Sequence, residues 1–189
     1  MRWRRIPASV PWSIVAPAAL LPAPAPAFAV EYLTFDEAQA ALFPEAQSFD
    51  MVEFTLDEAA RQKLQAGLGL PVRARWVIRV ARRGGQVVGA AVVDDVIGKF
   101  DRITFAAGVG ADGALRQVEI LAYRESHGGE VRLQRWRSQF AGKTAASPLR
   151  VGDDIANISG ATLSCQHVTD GVRRILAVLD TFRQAGKLP

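Results

Sequence analysis

The feature that most restricts the fold is a stretch of two-residue periodicity in the middle of the chain. Trp76, Ile78 and Val80 recur at every second position, the pattern of a strand with one buried face. A Gly-Gly pair then marks a tight turn, and residues 87–93 supply the returning strand. This region therefore predicts a β-hairpin whose apolar face must be covered by another layer of structure.

A second hairpin is predicted directly after the first. Residues 103–109 form one strand, Asp112-Gly113 the turn, and residues 115–123 the other strand. Residues 108–113 also match G-x-G-x-x-G letter for letter, but the dinucleotide fingerprint needs that loop between a parallel strand and a helix. Because a strand pattern follows here, we predict a hairpin turn and no nucleotide site of that kind.

Helical patterns precede and follow the predicted sheet, which makes the fold class α+β. Capping boxes at Thr34 and Thr55, each with Glu three residues later, predict short helices on either side of a strand over residues 48–54. Residues 130–140 also have helical spacing. The clearest helix is the last, with Arg173, Arg174 and Asp180 facing away from an apolar face formed by Val168, Val172, Ile175, Leu176, Leu179 and Phe182.

The first 29 residues have the organisation of a secretory signal peptide. A basic start is followed by a short apolar stretch over residues 13–21 and by the small-x-small sequence Ala27-Phe28-Ala29. The apolar stretch is too short to span a bilayer. We predict export and cleavage near Ala29, with a retained N-terminal anchor as the alternative.

Charge and residue counts exclude several functional classes. The predicted signal peptide contains three arginines and no acidic residue, so the mature chain has 20 basic against 19 acidic residues instead of 23 against 19. That balance does not favour nucleic acid as a partner. The single Cys165 rules out an intramolecular disulfide and a Cys-based zinc site, and the two histidines have no identifiable orienting carboxylate for a Ser-His-Asp hydrolase.

The sequence Ser159-Gly160-Ala161-Thr162 lies immediately before the last helical pattern. Ser159 is well placed as an N-cap, with Thr162 at the third helical position, and this structural role alone could explain the stretch. A helix N-terminus also presents free N–H groups and partial positive charge, which favour a phosphate. Gly160 leaves space for a ligand, and the Thr162 hydroxyl could bind a phosphate noncovalently or be esterified by it.

These four residues resemble the signature of the FMN-binding domains of exported and membrane-associated redox proteins. In that family Ser/Thr-Gly-Ala-Thr precedes a C-terminal helix, and the threonine is joined to FMN by a phosphoester that a flavin transferase installs from FAD. The similarity extends through the second hairpin, the loop after it and the sequence RWRSQFAGK, over roughly residues 86–180. The resemblance therefore implies FMN as the cofactor.

The resemblance also implies which residues contact the cofactor. Thr162 is the implied attachment point, and the surrounding phosphate site is Ser159, Gly160, Ala161 and Leu163. The implied ring pocket is the loop after the second hairpin, namely Glu125, Ser126, His127, Gly128 and Gly129. His127 could donate a hydrogen bond near the flavin ring or be a solvated loop histidine.

One departure from the family pattern leaves the covalent bond open. The family usually has an acidic residue six positions before its threonine, and Ala156 occupies that position here. Either Asp153 or Asp154 substitutes for it, or attachment is inefficient or absent. Trp136 and Phe140 could shield the flavin or simply pack in the core, and Cys165 could be activated by the helix dipole or be a buried, inert thiol.

The sequence thus predicts a periplasmic electron carrier, rather than a stand-alone enzyme, with FMN as a threonine ester. It divides into a signal peptide (1–29), a helical and strand extension (30–70) and an FMN-binding domain (71–185). The expected partners are a flavin transferase for maturation and a membrane electron-transport protein. The alternative function is a flavin-free periplasmic module that binds a partner or assists assembly of a membrane complex.

Overall fold

The fold is a six-stranded antiparallel sheet with helices on both faces, which confirms the predicted α+β class. The structure is a computed structural model that describes residues 30–125 and 127–188, so the predicted signal peptide and Ser126 lie outside the described residues. The strand order is β1-β6-β5-β4-β3-β2. The strands are β1 (Val30–Glu31), β2 (Ser48–Thr55), β3 (Arg75–Arg83), β4 (Gln86–Ile97), β5 (Arg102–Gly110) and β6 (Leu115–Tyr123), and the α-helices are α1 (Phe35–Leu42), α2 (Glu58–Leu68), α3 (Gln134–Arg137) and α4 (Thr162–Gln184).

Both predicted hairpins are present. The first pairs β3 with β4 through the glycine turn, and the second pairs β5 with β6. The G-x-G-x-x-G match lies in the second turn, where the Gly110 amide donates to the Ala114 carbonyl and the Gly113 amide to the Gly110 carbonyl. The glycines therefore close a hairpin, as predicted, because β6 and not a helix follows them.

Each face of the sheet is covered by different helices. The main core lies between the sheet and α4, whose predicted apolar face is buried as expected. Gly171 allows this close packing, since a Cβ there would lie 2.6 Å from the Phe105 ring. α1 and Phe43 cover the other face. Among the helices that the structure describes, none is long and apolar enough to cross a membrane.

Two helix predictions were wrong in detail. α2 is capped by Asp57 and not by Thr55, because the Asp57 carboxylate directly precedes the first turn and accepts from the Ala60 amide at 2.7 Å. Residues 130–140 form separate short helical turns instead of one helix, since Leu133 has an extended backbone (ψ 133°) between them. The apolar spacing there reflects core packing, with Trp136 and Phe140 both buried.

A third correction concerns Arg174, which does not face away from the core. Its guanidinium binds Asp94 on β4 through Nε at 3.0 Å and Nη2 at 2.7 Å. Arg73 binds the other carboxylate oxygen at 2.8 Å and covers the Trp76 ring. The Asp94 side chain is only 4% exposed. This buried ion cluster therefore joins α4 to strand β4 of the sheet.

Candidate functional site

The N-terminus of α4 is built differently from the sequence prediction. The N-cap is Ala161, so the prediction of Ser159 as N-cap was wrong and Thr162 is the first helical residue, not the third. Ser159 and Gly160 form a separate turn, in which Gly160 has φ 82° and the Ala161 amide donates to the Ile158 carbonyl. Since Ala161 has no capping side chain, the amides of the first helical turn are left for another acceptor.

The Thr162 hydroxyl is exposed beside these amides. Its oxygen accepts a hydrogen bond from the Asn157 side-chain amide at 3.1 Å. Asn157 thus orients the hydroxyl from outside the helix, a contact that the sequence did not reveal. An anion bound by the first turn of α4 would lie next to an alcohol oxygen.

The loop after β6 packs directly against this helix start. The Tyr123 hydroxyl donates to the His127 carbonyl, and the Ser164 hydroxyl lies 3.1 Å from the Tyr123 oxygen. Gly128 has φ 86°, and a Cβ there would come within 2.7 Å of the Ala161 Cβ. Burial raises the pKa of Tyr123, which keeps the hydroxyl protonated and able to hold both segments at neutral pH.

A pair of glycine substitutions tests this contact. Gly128→Ala and Gly160→Ala both place a side chain at positive φ, which costs about 1–2 kcal/mol. Only Gly128→Ala also collides with Ala161, so we expect it to lower the free energy of unfolding by about 1–3 kcal/mol more. Urea unfolding measures both variants. Equal losses would show that the loop and the helix start are not in close contact.

The turn between β4 and β5 forms the third side of the site. The Glu125 carboxylate accepts hydrogen bonds from the Phe100 amide at 2.6 Å and the Asp101 amide at 3.0 Å. Burial alone would raise the pKa of Glu125, but the turn amides and Lys99 outweigh it and hold the pKa below its usual value. His167 on α4 contacts the Ile97 and Gly98 carbonyls through Nδ1, so the turn is held from two directions.

This arrangement predicts a pH-dependent stability difference for Glu125→Gln. Folding lowers the pKa of Glu125 below 4.5, the ordinary pKa of a glutamate. The charged carboxylate therefore stabilises the fold at pH values above 4.5, and this stabilisation is lost as the pH falls through the lower pKa of the folded state. We expect the wild type to have the higher melting temperature at neutral pH and the gap to close below pH 4.5. A gap that stays constant from neutral to acid pH would contradict this role for the charge.

These three segments enclose a cleft of about 360 Å³, which we call the Thr162 cleft. Its lining residues are Lys99, Phe100, Glu125, His127, Gly160, Ala161, Thr162, Leu163 and Ser164. Its size is in the range of small-molecule sites. By contrast, a cavity near the C-terminal end of α4 holds only about 30 Å³ and cannot accept a flavin.

The residues that line the Thr162 cleft offer groups that suit both a phosphate and an aromatic ring. The amides of the first turn, the Thr162 hydroxyl and the Lys99 ammonium suit a phosphate. Phe100 and Leu163 are exposed apolar side chains that suit an aromatic ring. The residues present are therefore compatible with the cofactor that the sequence implied.

The structure brings most of the sequence-predicted site residues together. Glu125, His127 and residues 160–163 line the cleft, and Gly128 packs against its floor. Ser159 and Gly129 are not among the lining residues. Gly129 instead begins a short 3-10 helix, Gly129–Arg132. The sequence analysis missed Lys99, Phe100, Tyr123 and Asn157. An aromatic residue in the short turn GKFD was the one available signal, because such turns are usually polar.

Four other residues that the sequence analysis considered for a functional role lie in structural positions instead, namely Trp136, Phe140, Cys165 and Asp154. The Trp136 indole donates to the Ala156 carbonyl at 2.8 Å and packs edge-to-face on Phe140. Cys165 is buried, and burial raises the pKa of its thiol, so the helix dipole does not activate it. Asp154 binds the Lys143 ammonium at 2.8 Å together with the Leu149 and Arg150 amides. Its carboxylate thus holds the loop before the motif and does not line the Thr162 cleft.

Comparison with known families finds a match, and it covers the segment that forms this cleft. Residues 98–177 match the family model of the FMN-binding domain, which supports FMN as the cofactor. The matched segment begins at the β4–β5 turn and ends within α4, so it contains every lining residue of the Thr162 cleft. None of the curated proteins compared with the chain matches it.

Proposed function

We propose that this protein is an exported electron carrier whose FMN occupies the Thr162 cleft and is attached through its phosphate to Thr162. The observation that carries the proposal is the position of the exposed Thr162 hydroxyl beside the uncapped amides of α4, within the segment that matches the FMN-binding domain. An uncapped helix start is an anion site, and here an alcohol oxygen adjoins it.

The chain's own groups divide the work of holding the phosphate. The amides of Thr162, Leu163 and Ser164 would donate to its oxygens, and the Lys99 ammonium, 4.8 Å from the centre of the Phe100 ring, would add a positive charge to the same cleft. Asn157 holds the Thr162 oxygen in place. Attachment from FAD would form a bond between Thr162 Oγ1 and the FMN phosphorus and break the pyrophosphate P–O bond of FAD, so that the hydroxyl loses its proton and AMP is the leaving group.

The remaining residues of the cleft would hold and screen the ring. Glu125 fixes the β4–β5 turn, the loop at His127 and Gly128 closes the floor, and Phe100 and Leu163 give an apolar wall. Bound FMN supplies one- and two-electron redox chemistry, which links a two-electron donor to one-electron acceptors. The protein contributes position and electrostatics.

The location and partners follow from the sequence. A predicted signal peptide over residues 1–29 favours the periplasm, where a tether prevents loss of a scarce cofactor. Maturation then requires a flavin transferase in the same compartment, and a membrane electron-transport protein is the expected redox partner. Ala156 supports the alternative of a flavin-free module, because the family's usual acid is missing there and Asp154, one of its two candidate replacements, is engaged with Lys143.

The test is expression of the full chain with and without a flavin transferase, followed by denaturation. We expect in-gel flavin fluorescence and a mass gain equal to one FMN ester only when the transferase is present. Fluorescence that is lost on denaturation would show noncovalent FMN and overturn the ester. Absence of flavin from the native and the denatured protein would favour the flavin-free module.

A further inference from the structure

Phe100 is the most exposed large apolar side chain in the described part of the chain, at 74%. It lies in the turn between β4 and β5 and lines the Thr162 cleft together with Lys99, whose ammonium lies 4.8 Å from the centre of the phenyl ring. An exposed phenyl ring forgoes the burial energy of about 1.5–3 kcal/mol that a core position would give. Its position at the cleft therefore calls for an explanation other than stability.

The backbone that carries Phe100 is fixed by several hydrogen bonds. Its own amide donates to Glu125, and the Gly98 amide donates to the Asp101 carbonyl at 2.8 Å. His167 binds the Gly98 carbonyl from α4 at 3.1 Å. Gly98 itself is closely packed, since a Cβ there would lie 2.5 Å from the Glu125 carboxylate. The turn thus presents Phe100 from a fixed base beside the cleft.

The surroundings of Phe100 indicate what it contacts. Leu163, which is 41% exposed, lines the same cleft, and both apolar side chains share that cleft with the Thr162 hydroxyl. The Thr162 cleft gives a ligand anchored at Thr162 through a phosphate room for its remaining bulk between the turn and the helix start. An aromatic ring system is the chemistry that a fixed phenyl group and a leucine recognise best.

We propose that Phe100 contacts the isoalloxazine ring of FMN and shields it from water. This inference rests on the proposed function and adds a specific contact residue on the β4–β5 turn. The contact lowers the access of water to the ring and fixes the ring's orientation relative to the phosphate end.

The first test is Phe100→Trp in the FMN-loaded full chain, with loading checked by mass. An indole in contact with the excited flavin donates an electron to it and quenches emission, so we expect fluorescence to fall several-fold per bound FMN. Met51→Trp is the matched control, because Met51 is 68% exposed but lies on β2 at the edge of the sheet. Its emission should equal that of the wild type.

Phe100→Ala provides an independent readout. Removing the ring should raise collisional quenching of the flavin by iodide several-fold, without a change in melting temperature, whereas Met51→Ala should change neither. Normal FMN loading with unchanged emission in Phe100→Trp and unchanged iodide quenching in Phe100→Ala would overturn this contact and leave the proposed function intact. A wild type that neither receives FMN from the transferase nor binds added FMN would overturn both.

Discussion

Replacing Thr162 by valine is expected to abolish covalent FMN. Valine has almost the same shape but lacks the oxygen that forms the bond to phosphorus. The fold should tolerate the change, because Thr162 is exposed and its side chain accepts only the Asn157 hydrogen bond among the side-chain contacts that the structure describes. In-gel fluorescence and the FMN mass gain should both fall to background, while the melting temperature of the apoprotein stays within a few degrees.

Thr162→Ser is the matched control for the valine variant. It keeps the hydroxyl at the N-terminus of α4, so ester formation should persist, at a reduced rate because the freed rotamer is less well oriented. The neighbouring Ser159 and Ser164 are the alternative acceptors in this region. A mass gain that survives in Thr162→Val would place the ester on another residue, and peptide mapping of that variant would identify it.

Removing the Asp94 carboxylate is expected to have the largest effect on stability. Asp94→Ala leaves the Arg174 guanidinium, which is 13% exposed, buried without its counter-ion. Breaking one partner of a buried ion pair costs about 3–5 kcal/mol, a large share of the roughly 5–15 kcal/mol that stabilises a typical domain. Urea unfolding at neutral pH should show this loss. FMN loading should fall as well, because α4 carries the cofactor site at its first turn.

Asp95→Ala is the control on the same strand. The Asp95 side chain is 42% exposed and its nearest guanidinium, on Arg102, is 3.7 Å away. An exposed pair of this kind contributes about 0–1 kcal/mol. In addition, replacing both buried partners, as in Asp94→Leu with Arg174→Met, should recover much of the stability that Asp94→Ala loses. Equal losses in Asp94→Ala and Asp95→Ala would show that the buried cluster does not hold α4 on the sheet.

Much of the fold could be predicted from local sequence patterns. The two hairpins followed from alternation and glycine turns, and the apolar face of α4 followed from its spacing. The errors arose where neighbouring residues offered competing interactions. At α2, Asp57 lies closer to the first helical turn than Thr55 and caps it. Near Leu133, an extended backbone interrupts the helical pattern, and the apolar residues of that pattern pack in the core.

The candidate site was predicted only in part, for a related reason. Its Ser-Gly-Ala-Thr segment and the loop at Glu125 could be identified by resemblance, and the match over residues 98–177 supports FMN as the cofactor. The cap at Ala161 could not be predicted, since the Ser159-Gly160 turn moves the helix start by two residues. The division of the chain at residues 30, 71 and 185 stays a prediction, with residues 30–70 supplying β1, β2, α1 and α2.

The sequence by itself determined what short-range chemistry decides: which residues extend into strands, which glycines turn the chain, and that the last helix follows the Ser159-Gly160 pair. Only the tertiary structure decided which distant groups meet. Three contacts depend on strand register and on how α4 packs across the sheet. They are the ion pair of Asp94 with Arg174, the hydrogen bond from the Phe100 amide to Glu125, and the close approach of Gly128 to Ala161. These contacts join residues that are far apart along the chain, and local periodicity carries no information about such distances.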